Sequence, residues 1–306
     1  MAATLQYVVN GIVFSSIIVL GSVGLAIVYS IADFANFAHG DTMTVGAYTA
    51  LVAYGPLAGV QADVLGLPLG FFLALGVGMG VAAVVAVGTE LVVYRPLEVD
   101  SLGLLITSIG VAFVYRALVR WGFGTQFQSY GIEQSGPVPY FQNSLGVAIT
   151  ERHIVMVVVA VALVTGLHVL LQYTTLGRKM RAMADNPDLA RVSGIRTARV
   201  KLATWAIGAG MAGAGGVFLG LFNQLNPRMG FAILLVIFAA VILGGIDSVY
   251  GAMLGGVVIG MVTRLTPLLR DFGIPIGNEY SAALAFLIMV VILLVRPRGI
   301  AGGAVT

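Results

Sequence analysis

Two short polar stretches interrupt a chain that is otherwise dominated by long apolar runs. The first spans nine positions and carries Asp33, Asn36, His39, Gly40 and Asp41; the second carries Gly244, Gly245, Asp247, Ser248 and Tyr250. Polar groups between or inside lipid-spanning segments cost free energy, so they are candidates for a solute pathway. Carboxylate, imidazole, amide and hydroxyl groups there could together compensate a charged or zwitterionic solute. Each stretch joins a glycine turn to a carboxylate and then runs through Gly-Ala into apolar sequence, Val45-Gly-Ala-Tyr and Tyr250-Gly-Ala-Met. That is a weak internal repeat, of the kind found where interrupted helices meet at a pathway. The alternative is that both are turns near one membrane surface, with Asp41 and Asp247 as helix N-caps. Re-entrant turns capped by Asp that also line the inner pathway would combine the two readings.

Other chemistries are excluded by what the chain lacks. With 0 Cys there are no disulfides and no thiolate metal or nucleophile sites. His39, His153 and His168 are too scattered for a metal site. No Gly-Lys-Ser/Thr phosphate loop, no HExxH and no GxSxG occurs. Any ATP used in the protein's work must be hydrolysed on another chain, and no cofactor is expected on this one.

The elements that position these residues follow from composition. Of 306 residues, 59% are hydrophobic and 9% charged, and the mean hydropathy is +1.01. Soluble domains carry about 25% charged residues, so a bilayer is the solvent that suits this chain. The net charge of +3 does not imply nucleic-acid binding, because the basic residues sit between apolar runs. Runs long enough to span, about 20 residues, occur near 5–31, 42–59, 69–94, 102–121, 154–173, 202–222, 231–243, 251–265 and 282–295. The seventh and eighth are short and interrupted by glycine. The expectation is an all-α polytopic transmembrane bundle of about 8–10 spans with interrupted helices, a single transmembrane domain over 1–306 in the plasma membrane. The first run exceeds a signal-peptide core and reads as a retained span.

Seven basic residues, Arg178, Lys179, Arg181, Arg191, Arg196, Arg199 and Lys201, crowd the connection 174–201. The positive-inside rule makes that segment cytoplasmic. Arg95 and the tail Arg296 and Arg298 then fall inside as well, with the N-terminus outside and the C-terminus inside. Arg152, Arg228 and Arg270 fall outside, Arg264 near a helix end, and Arg116 and Arg120 are expected to snorkel from the outer part of their helix. The external connection 122–152 could hold a short hairpin or helix across the outer mouth.

Within 174–195 the pattern predicts two short amphipathic helices. Leu176, Met180, Met183 and Ala184 form an apolar stripe, with Arg178, Lys179 and Arg181 mostly off it. Asn186 suits an N-cap, Pro187 the first helical position, Asp188 the first turn and Gly194 the stop. Such a pair could be a basic loop touching lipid head groups, or a docking element seated in a partner's groove.

Here a family resemblance emerges. Leu176-Gly-Arg-Lys-Met-Arg-Ala-Met-Ala-Asp-Asn-Pro-Asp-Leu-Ala-Arg, followed by Ser193-Gly-Ile, resembles the coupling segment of ABC importer permeases, specifically the high-affinity branched-chain amino-acid (Liv-type) permease. Ala35-Asn-Phe-Ala-His-Gly-Asp-Thr-Met-Thr-Val-Gly-Ala-Tyr, Phe238-Ala-Ala-Val-Ile-Leu-Gly-Gly-Ile-Asp-Ser-Val-Tyr-Gly-Ala-Met-Leu-Gly-Gly and the closing Arg296-Pro-Arg-Gly-Ile match in the family's order. Departures are Ser193, where a larger apolar residue is common, and Ile246-Asp-Ser, where the family is richer in glycine.

The resemblance implies two permease chains, alike or different, docked on two ATPase subunits and fed by an external solute-binding protein. It places ATPase coupling at Leu176, Gly177, Arg178, Met180, Arg181, Ala182, Asn186, Ala190 and Gly194, while the cost of polar groups at membrane depth makes Asn36, His39, Gly40, Asp41, Gly244, Gly245, Asp247 and Ser248 the candidates for the substrate pathway. Branched-chain or other neutral amino acids are the expected solutes, with urea or short amides the near alternative. An ion-coupled carrier would place carboxylates within its spans as coupling sites; a membrane enzyme would need a convergent catalytic set. Glu90, little more than one turn before Arg95, is expected to face the inner interface structurally. The glycines from Gly208 to Gly220 are expected to let their helix press against a neighbour.

Overall fold

The computed structural model describes residues 2–60, 62–132, 136–270 and 277–301. The side chains of residues 2, 3, 145, 270 and 278 fall outside this description, and so do the expected outer charge of Arg270 and the last residues, 302–306, of the expected domain.

The architecture is a bundle of α-helices. α1 (Ala2–Ala32), α2 (His39–Leu57), α3 (Leu69–Thr89), α4 (Ser101–Phe123), α6 (Glu151–Tyr173), α9 (Thr197–Phe222), α10 (Met229–Gly244), α11 (Val249–Leu265) and α12 (Ser281–Val295) account for the nine apolar runs. Three helices lie between spans: α5 (Pro139–Leu145), α7 (Thr175–Asp185) and α8 (Pro187–Val192). The sheet content among the described residues is a two-stranded hairpin, β1 (Asp63–Val64) with β2 (Leu67–Pro68), and one bridge between Gln128 and Leu225. α5 fulfils the expectation of a short helix in the connection 122–152.

Among the described residues, six helices are long and apolar enough to cross a membrane, and α10 and α12 are shorter apolar helices. α1 and α9 form the centre: 89% and 83% of their most apolar windows are buried, against 28% for α6 and 33% for α4. The outer helices instead present side chains such as Val161 of α6 and Phe113 of α4 outward, the surface that lipid covers without penalty. Small residues permit the central contacts. A Cβ on Gly46 of α2 would sit 2.6 Å from the Gly213 Cα of α9, so only glycine at that crossing lets the backbones touch. Gly208, Gly215 and Gly216 likewise press α9 against α1 and α2, as expected, whereas Gly210 has only an ordinary contact.

α2 starts inside the bundle rather than at a surface. Asp33, at φ 57°, turns the chain back after α1, and His39 Nε2 lies 2.9 Å from the Gly21 carbonyl oxygen. Gly21 is eleven residues before the end of α1, about 16 Å at 1.5 Å per residue. The first polar stretch is therefore drawn back between the helices.

The two ends of the bundle differ. Arg264 lies over Phe14 and Phe222, at 4.1 and 4.9 Å from the ring centres, in the N-terminal half of α1 and at the end of α9. At the other face the ends of α1, α6 and α12, the α10–α11 turn and α7 surround one cavity. Arg181 and Arg298 line this cavity.

Candidate functional site

The first polar stretch is packed and internally bonded. Asn36 Oδ1 accepts from the Ala38 N–H at 3.0 Å and from the Tyr94 hydroxyl at 3.4 Å. Ser108 Oγ accepts from the Phe37 N–H at 2.9 Å. Gly40 lies against Gly230 of α10, and the Gly230 N–H donates to Thr44 Oγ1.

Asp41 is not an N-cap. The capping position of α2 is Ala38, which makes no side-chain cap bond. The Asp41 carboxylate instead accepts from Arg116 Nε at 3.0 Å and Nη2 at 2.8 Å. Arg116, expected to snorkel, turns inward, and Phe231 stacks on its guanidinium at 4.2 Å. The reason is energetic. A carboxylate 1% exposed needs a partner, and the planar guanidinium is the one cation that can meet both its oxygens.

The second polar stretch is open. Ser248 Oγ, not Asp247, caps α11 by accepting from the Gly251 N–H at 2.9 Å. Gly245, at φ 110°, turns the chain. The closing motif folds back onto this turn, with Ile300 N–H to Leu243 O and Ala301 N–H to Gly244 O, both 2.9 Å. Asp247, Ser248 and Tyr250 line a cavity of about 920 Å³, together with Gln172 of α6 and Met180 and Arg181 of α7. Tyr250 is fixed by His168 and Gln172, each 2.9 Å from its hydroxyl. The two stretches thus occupy separate environments.

The connecting helices form as their sequence predicts. Thr174 Oγ1 accepts from the Gly177 N–H at 3.0 Å and starts α7. Asn186 Oδ1 accepts from the N–H groups of Asp188 and Leu189, at 3.1 and 2.9 Å, and starts α8. Gly194 ends it at φ 81°. Gly177, Met180, Met183 and Ala190 are buried, Leu176 and Ala182 half-buried, and Arg178 and Arg181 exposed. Ala184, expected on the buried stripe, is exposed and borders the cavity. Gly177 has no room for a side chain: its Cβ would meet the Leu170 and Leu171 carbonyls. Arg181 donates to the Leu171 carbonyl, so α7 is clamped to the end of α6. α8 shows the reverse character, with Leu189 62% and Val192 86% exposed.

Sequence reasoning missed three connections. Arg116 pairs with Asp41; Glu90 pairs with Lys201 at 3.0 Å; His168 and Gln172 hold Tyr250. The first could have been sought, because an Arg in an apolar run requires a carboxylate somewhere. Glu90 opens a π-helical turn, Glu90–Tyr94, in which the Arg95 N–H reaches the Glu90 carbonyl, and that change of register is not written in the local sequence.

Fold and site together define a polytopic membrane protein in which helix α7, clamped to the end of α6, walls an open cavity. The description "Branched-chain amino acid transport system / permease component" matches residues 7–293. The chain belongs to this family. The permease protein BraD of Pseudomonas aeruginosa, of a high-affinity branched-chain amino acid transport system, is 32% identical over 97% of this chain and 95% of its own length. The corresponding LivH of Escherichia coli K12 is 31% identical over 97% and 95%. A probable branched-chain amino acid transport permease, LivH of Methanocaldococcus jannaschii, is 29% identical over 96% and 91%. The chain is thus the permease subunit of an ABC-type importer, and hydrolysis of ATP belongs to a separate subunit.

Proposed function

We propose that this permease carries branched-chain or other neutral amino acids inward across the plasma membrane, with the α7–α8 face in the cytoplasm. The N-terminus is then outside and the C-terminus inside. ATPase subunits dock on α8 and the exposed side of α7; a second permease chain completes the pore, and a solute-binding protein delivers from the opposite face. The observation that carries this reading is the two-sided character of the helix pair. One side is clamped to α6 and borders the Asp247–Tyr250 cavity; the other offers Leu189 and Val192 beside basic residues, the pattern of a helix-in-groove contact.

In this scheme movement of the ATPases displaces α7 as a rigid piece, and the wall of the cavity moves with it. Asp247 and Ser248 line the inner exit, and Gly244 and Gly245, expected on the pathway, are packed behind them against Gly251 and Gly299. The packed first stretch, with Asn36, His39, Gly40 and Asp41, bears on the pathway by fixing where α2 begins. The alternative of an ion-coupled carrier is disfavoured because the buried carboxylates Asp41 and Glu90 are each held by a cation.

Substituting Leu189→Asp with Val192→Asp tests the docking. Both side chains are exposed, so the permease folds normally, while ATPase assembly and uptake are lost. Uptake at the wild-type rate in that variant would end the docking assignment. Substitution of Gly177 is the poorer test, since a side chain there displaces α7 itself.

A further inference from the structure

A second, smaller hollow of about 260 Å³ lies between α7 and the start of α9, lined by Leu176, Lys179, Gly194, Arg196, Arg199 and Val200. Three of these residues are cationic and none is acidic. Their freedom distinguishes them from the other cations of 174–201. Arg181 is bonded to the Leu171 carbonyl, Arg191 lies 3.7 Å from Asp188, and Lys201 holds Glu90. Lys179, Arg196 and Arg199 make neither an ion pair nor a side-chain hydrogen bond among the described residues. Three of the four uncommitted cations of this segment therefore converge on one hollow, where they repel each other until an anion enters.

The level of the hollow selects the anion. Leu176 follows closely on Tyr173, the last residue of one candidate span, and Arg199 and Val200 lie in the first turn of another, Thr197–Phe222. Lipid phosphates lie where spans leave the hydrocarbon. Val200 is 3% exposed and half-buried Leu176 completes an apolar wall, while Gly194 at φ 81° leaves the mouth clear. We propose that the hollow binds the head-group phosphate of an anionic phospholipid and so pins α7 to the membrane plane. The site does not depend on which solute is carried, and it lies on the flank of α7 that faces α9, beside the surface assigned to the ATPase.

The test compares binding of phosphatidylglycerol, phosphatidylcholine and inorganic phosphate to the purified full-length permease. Native mass spectrometry and lipid-dependent thermal shift are read for wild type, K179Q/R196Q/R199Q, the conservative K179R/R196K/R199K and the non-lining Arg178→Gln. Phosphatidylglycerol should bind wild type, the conservative triple and Arg178→Gln alike, and bind the neutral triple about 100-fold more weakly, at about one factor of five per charge. Phosphatidylcholine and millimolar inorganic phosphate should bind none of them appreciably. Equal phosphatidylglycerol binding by wild type and the neutral triple overturns the proposal. So does a triple that keeps the lipid yet fails to assemble with its ATPase, because the hollow is then a protein contact. Tight binding of inorganic phosphate alone would also overturn it. A neutral triple that melts as wild type does in phosphatidylcholine confirms that the fold is intact.

Discussion

Arg116 of α4 grips both carboxylate oxygens of Asp41 in the first turn of α2, at 3.0 and 2.8 Å, with Phe231 of α10 stacked on the guanidinium. The contact fixes the inner start of α2 against two other helices. Asp41→Asn leaves the arginine buried without a counter-charge and should cost about 3–5 kcal/mol of stability. Replacing both with apolar residues, Asp41→Leu with Arg116→Met, should recover most of that loss. Thermal unfolding of the detergent-solubilised protein decides; an Asp41→Asn variant that melts with wild type would show that the pair stabilises nothing.

Glu90 and Lys201 are unequal partners. The carboxylate is 1% exposed, whereas the lysine side chain is 29% exposed and can reach water. Lys201→Met should therefore destabilise more than Glu90→Gln, by about 1–3 kcal/mol, because it strands a buried charge. Equal melting of the two variants would contradict this asymmetry.

Asn186 accepts from two N–H groups that nothing else satisfies at the start of α8. Asn186→Ala should loosen that helix by about 1 kcal/mol and reduce uptake without changing the melting of the whole bundle. Asn186→Asp should retain the cap. Hydrogen exchange across 187–192 reads the local effect directly.

Gly177→Val puts methyl groups against two carbonyls of α6. The expected result is a folded protein with uptake well below the wild-type rate, since α7 is pushed from the cavity wall. Uptake unaffected by the valine would mean that the position of α7 is immaterial to transport.

The absence of cysteine gives a clean topology measurement. A cysteine at exposed Leu189 should react with an impermeant maleimide only after the membrane is opened, and one at exposed Phe127 in intact cells. The opposite pattern would invert the proposed orientation.

The sequence by itself determined the helical bundle, because apolar runs of spanning length leave the backbone no other way to satisfy its hydrogen bonds in lipid. It also determined α7 and α8 almost residue by residue, since Thr174, Asn186 and Gly194 act on backbone groups only a few positions away. Tertiary structure decided what the carboxylates do. Asp41 and Glu90 find Arg116 and Lys201, 75 and 111 positions distant, once the helices have packed, and no local pattern records which cation will arrive. It decided too that one polar stretch is sealed and the other open. Both are written in similar residues, but α2 is drawn back among its neighbours by close glycine contacts, whereas the α10–α11 turn stays at the edge of a cavity that several chain segments create together.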